Sequence, residues 1–146
     1  VTVKKPIAIL ALLLQLVACE RPWIAGRTVV DAAAHGVVAA DSAVVAAYDE
    51  SGCDEAEGEA LDECLADLRE YVEALRLARA SVLEGETIVD VWEHGGEEPA
   101  AWRGWVISVG LALARVASLL TAAGVDVPAE LTAVAALVEG AAEGVH

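Results

Sequence analysis

Between Glu59 and Trp92 the apolar residues Leu61, Leu65, Leu68, Val72, Leu75, Val82 and Val89 recur in steps of three, four and seven. That spacing lays them along one stripe of a helix, and no strand can present such a set on one face. Arg79 and Glu86 fall at two positions of the stripe and mark its weak points, and Gly85 is a place for a kink. No strand pattern is longer than the short β-branched run Thr87 to Val91, which the helical period absorbs. A helix of this length with one apolar stripe must bury it against other helices.

The rest of the chain supplies them. A first segment from about Ile24 to Glu50 carries Val30, Val37, Val38, Val44, Val45 and Tyr48 at helical intervals, with Gly36 weakening its middle. The stretch from Asp49 to Glu59, with Gly52, Gly58 and many acids, reads as a loop. The run His94-Gly95-Gly96-Glu97-Glu98-Pro99 stops the second segment and starts a third, which continues to Ala123 with Trp102, Trp105, Val109, Val116 and Leu120 on one arc. A short fourth segment follows Asp126-Val127-Pro128 and uses Leu131, Val134, Leu137 and Val138 up to about Gly140. Short connections favour antiparallel neighbours, so the expected fold is all-α: an antiparallel bundle of three long helices and a short fourth. Residues 105–125 are apolar enough to suggest a membrane span. Arg115 in their middle would cost about 2.5–3.5 kcal/mol on insertion scales, which favours a buried amphipathic helix.

Ahead of the bundle lies a leader. Lys4 and Lys5 precede Ile7 to Ala18, in which Gln15 is the only polar residue. A charged n-region before an apolar stretch too short to span a bilayer is the pattern of a secretory signal. Its last residues, Leu16-Val17-Ala18-Cys19, resemble the lipobox of bacterial lipoproteins. That resemblance implies cleavage after Ala18, lipidation of Cys19, a signal peptide over residues 1–18 and a single helical domain over residues 19–146. It also implies a lipid-anchored protein of the cell envelope. Glu20 stands where lipoproteins retained in the inner membrane of enterobacteria carry aspartate, so the expected site is the outer membrane, facing the periplasm or the exterior. A plain secretory signal and an uncleaved anchor helix are the competing readings of the leader.

Without residues 1–18 the chain keeps seven arginines, no lysine and all 24 acids, a formal charge of −17. Such a surface repels phosphate backbones and disfavours nucleic acid as a partner, and it does not lie flat on anionic lipid. Cys53 and Cys64 remain as an even pair in a compartment where disulfides persist. A bond between them would close a loop of about a dozen residues, worth roughly 3 kcal/mol in the chain-entropy model.

The topology sorts the remaining chemistry to two ends. Asp49, Glu50, Asp54, Glu55, Glu57, Glu59, Asp62 and Glu63 fall at the tip remote from Cys19, a surface suited to a basic protein partner. Trp23, Trp92, Trp102 and Trp105, with Arg21, Arg27 and Arg103, fall at the near end. There the indoles could contact a membrane interface or plug the wide end of a small-residue core. Asp31/His35 and Asp90/His94 each share a helix face, as metal ligands do in helical bundles. A hairpin centred near residue 55 separates the two histidines by about 28 Å along the bundle, too far for one metal. Neither pair has the Glu-x-x-His form of the di-metal bundles. Nucleophile elbows, phosphate loops, His-Glu-x-x-His and C-x-x-C pairs are missing from the sequence, and the acidic loop lacks EF-hand order. The expectation is a non-enzymatic binding or structural module without a cofactor. A membrane accessory protein of phage or plasmid origin, acting in lysis or entry exclusion, and a metal-binding helical-bundle enzyme are the alternatives.

Overall fold

In a computed structural model that describes residues 21–143, local stop signals delimit four helices. Pro22, which has no N–H to leave unsatisfied, opens α1 (Pro22–Ser51), and Gly52 in the left-handed conformation closes it. Helix α2 (Glu59–Gly95) begins with Glu59 and Asp62 in its first turn, where carboxylates oppose the positive end of the helix dipole. It ends where the N–H of Gly96 donates to the Trp92 carbonyl at 2.8 Å. Helix α3 (Ala101–Ala122) ends in a crossed pair of bonds, from Val125 N–H to the Leu120 carbonyl and from Gly124 N–H to the Thr121 carbonyl. This pairing satisfies carbonyls that the helix itself cannot. Helix α4 (Ala129–Glu143) follows Pro128. The leader, Cys19 and its lipidation lie outside the described residues.

Each helix packs against its chain neighbour, and α1 also packs against α4, which closes a ring of four with a thinner α1–α3 diagonal. The result is an all-helical bundle of three long helices and one short, with no strand among the described residues. Asp41 pairs with Arg79 and Arg27 with Asp90, so α1 and α2 are antiparallel about a centre near residue 60. The expected centre near residue 55 is therefore displaced by several residues.

The seam of α2 also differs from the expected one. Leu68, Leu75, Val82 and Val89 keep their places, but the alternate positions are Tyr71, Ala78, Gly85 and Trp92, while Val72, Arg79 and Glu86 are exposed. The three-four rhythm runs unbroken once small residues are allowed to be core. Helix α1 answers in kind with Val30, Ala33, Val37, Ala40 and Val44, all buried, and leaves Val38 and Val45 outside. Alternating large and small side chains let the two backbones approach and interlock. Gly85 is the extreme case: a Cβ there would overlap the Trp105 indole, so this glycine is a socket in an unbroken helix and not a kink. Gly110 serves α3 similarly, since a Cβ would lie 2.7 Å from a Val138 methyl of α4.

Candidate functional site

At the end remote from Arg21, α1 and α2 outrun the other two helices. The Tyr71 hydroxyl donates to the Leu119 carbonyl at 2.6 Å and sets the last turn of α3 level with Tyr71. Residues 59–70, about 18 Å of helix, lie beyond that level. Cys53 and Cys64 join across this projection, with Cα atoms 5.9 Å apart. The expected acids Asp49, Glu50, Asp54, Glu55, Glu57, Glu59, Asp62 and Glu63 are all exposed on it. Some other acids have partners: Arg79 meets Asp41, Arg115 reaches Glu70, and Arg76 grips Glu73 and holds its carboxyl below the usual range, while Asp31, Glu84, Glu86 and Glu97 are, among the described residues, unpaired like the tip acids. Among the described residues none of the eight tip carboxylates enters an ion pair. Their mutual repulsion is left uncompensated, which makes the local potential more negative.

Between the projection and the α3–α4 turn lies a cavity of about 320 Å³. Tyr48 and Tyr71, the only tyrosines of the chain, both line it, with Glu50, Asp67, Leu68 and the two cysteines. Burial pushes the Tyr71 phenol above its ordinary pKa, and the nearby charges of Asp67 and Glu70 push the same way. Sequence reasoning missed this cavity. It took Tyr48 for a stripe residue and left Asp67 and Tyr71 aside. A signal existed, because a hairpin centred near residue 60 sets Tyr48 opposite Tyr71.

At the other end the tryptophans are core. Trp92, Trp102 and Trp105 are 5%, 6% and 2% exposed, and only Trp23 is half-buried. Each of these three rings is enclosed by the bundle itself, whereas the sequence left open both membrane contact and a core plug. Trp102 stacks on Trp105 with centroids 5.0 Å apart and tilts against Trp92 at 5.4 Å. The Trp105 N–H donates to the Ser81 carbonyl at 2.6 Å, on the turn that Gly85 leaves open. The Trp92 N–H is buried with no acceptor among the described residues. Two of the three arginines of this end are also used internally. Arg27 bridges Asp90 and Glu93 at 2.6 and 3.0 Å, the bond to Asp90 being the main reason its pKa is raised. Arg103 lies 3.5 Å from Glu98, and Arg21 is exposed.

In the two Asp–His pairs the histidine meets the aspartate's backbone carbonyl and not its carboxylate. His35 Nδ1 lies 2.7 Å from the Asp31 backbone carbonyl, and His94 Nδ1 lies 2.7 Å from that of Asp90. Each contact requires the ring nitrogen to carry a proton and donate it. With the hairpin recentred, His94 lies about 14 Å from the level of His35 along the bundle, nearer than expected yet still out of reach of one metal. No group of three or more metal-ligating side chains occurs among the described residues.

Helices α1 and α3 are each long and apolar enough to cross a membrane by length and composition. Here each buries a core face, and α3 places Trp102, Trp105, Val109, Leu113, Val116 and Leu120 inside the bundle. Comparison with known proteins finds no match: no protein-family model, curated protein or solved structure is similar to this chain.

Proposed function

We propose that this chain is a lipid-anchored envelope protein that acts without catalysis, holding an acidic projection away from the membrane to bind a basic partner protein. The anchor rests on the leader and on the likeness of Leu16 to Cys19 to a lipobox. The observation that carries the binding role is the set of eight exposed, unpaired carboxylates at the end remote from Arg21. A chain leaving the membrane near residue 20 would carry these acids outward on the longest helix pair of the bundle. With Trp92, Trp102 and Trp105 enclosed, the near end would hold to the membrane chiefly through the lipid, half-buried Trp23 being the one indole left for an interface.

The test titrates the detergent-solubilised full chain with polyarginine across salt. Affinity should fall steeply as salt rises, because surface charges are screened beyond roughly 8 Å at physiological ionic strength. Changing Glu55, Glu57, Glu59 and Glu63 together to glutamine should flatten that dependence. Affinity independent of salt, or untouched by the four changes, rejects the acidic-tip role. An intact mass without diacylglycerol on Cys19 rejects the anchor.

A further inference from the structure

We propose that the cavity at the tip is a binding site for an organic cation, a guanidinium or ammonium group on a short aliphatic stem. The proposal rests on the acidic-tip reading and gives it a defined subsite. At about 320 Å³ the cavity is at the small end of the range for ligand pockets. Its walls divide by chemistry. Val44, Ala47, Leu68 and Val125 supply apolar surface for a stem, and Glu50 and Asp67 supply two carboxylates, while no arginine or lysine lines it. An anion would meet only repulsion there. A neutral apolar ligand would desolvate the two carboxylates without replacing their water.

Three further features select a cation. Tyr48 and Tyr71 bring aromatic rings to the same small space, and the negative face of a phenol ring attracts cations. The Tyr71 hydroxyl is committed to the Leu119 carbonyl, which fixes that ring in place before any ligand arrives. Two helices also end at the cavity. Glu50 and Ser51 close α1, and Ala123 and Gly124 follow α3, so the negative ends of both dipoles converge on it. The Cys53–Cys64 bond forms part of the wall and holds the mouth of the hairpin together.

Calorimetric titration of the full chain in detergent tests this with Nα-acetyl-arginine amide and its uncharged analogue Nα-acetyl-citrulline amide. The arginine compound should bind one to one, about tenfold or more tighter than the citrulline compound. Glu50→Gln with Asp67→Asn should weaken it about tenfold, and Tyr48→Leu about threefold. Glu84→Gln with Glu86→Gln makes the same change of charge on an exposed part of α2 away from the tip and should leave affinity within about twofold. A neutral peptide bearing one arginine identifies the source. Tighter binding than the amide points to a side chain of a partner protein, and equal binding to a free amine.

Equal affinity for arginine and citrulline compounds overturns the proposal. So does equal loss in the two double variants, or no saturable binding up to about 10 mM, a weaker interaction than a formed site sustains. Salt-dependent polyarginine binding without saturable binding of the amide removes the subsite and leaves the acidic tip standing. The reverse pattern keeps the subsite and removes the partner reading.

Discussion

Where α2 meets α3, the bundle is filled by three indoles packed ring against ring, one of them set into a socket at Gly85. Where α1 meets α2, at the opposite tip, the chain has no comparable bulk, and a disulfide and one tyrosine hydrogen bond hold it together. The first end is built by packing and leaves no room. The second is built by a covalent staple and leaves a cavity bordered by carboxylates. Packing that excludes water stabilises a fold, whereas a staple secures a projection without filling it. Space and unpaired charge can therefore persist at the tip.

The sharpest way to break this contrast is to empty the filled end. Trp105→Ala removes a ring that is almost fully enclosed, together with its bond to the Ser81 carbonyl, and should cost about 3–5 kcal/mol. Chemical denaturation followed by circular dichroism measures it, and a loss below 1 kcal/mol would mean the indole cluster is not the anchor of the core. Second in size is removal of the staple. Cys53→Ser with Cys64→Ser should cost about 3 kcal/mol by loop-closure entropy. The signature should be local: faster hydrogen exchange from Tyr48 to Leu68, with tryptophan emission unchanged. Exchange that rises equally at both ends would show that the two regions are not independent.

Gly85→Ala comes next, at about 1–3 kcal/mol, because the new Cβ overlaps the rigid Trp105 ring. Alanine is the better helix former by about 1 kcal/mol, so a stabilised variant would show that the socket is looser than its geometry. This residue also marks the limit of what the sequence discloses. The helices, their antiparallel order and the cysteine pairing were legible, because periodicity, breakers and redox context each point one way. The seam of α2 was only half legible. A stripe drawn through large apolar residues takes Val72, Arg79 and Glu86, whereas the folded helix uses Tyr71, Ala78 and Gly85. Small residues carry little hydrophobic signal, and their value appears only when a neighbour such as Trp105 fills the space they leave. The tip acids were plain in the sequence as a cluster. The cavity beside them was hidden, because Asp67 and Tyr71 sit on α2 beyond the loop and join it through the hairpin register and the α3–α4 turn.

The smallest effect concerns a strut that ties the tip to the packed region. Tyr71→Phe deletes the bond to the Leu119 carbonyl and should cost about 1 kcal/mol at neutral pH. Its pH dependence separates this role from simple packing. Burial raises the folded pKa above the ordinary 10.0, with Asp67 and Glu70 adding to it. The folded state therefore keeps the phenol proton at a pH where the unfolded chain has begun to release it. The contribution of Tyr71 is complete below the unfolded value and is lost as pH rises through the folded one. Stability of the parent chain should accordingly fall more steeply above about pH 10 than that of Tyr71→Phe. Parallel curves for the two proteins across that window would mean that the phenol is solvated, and that α3 is not tied to the tip through it.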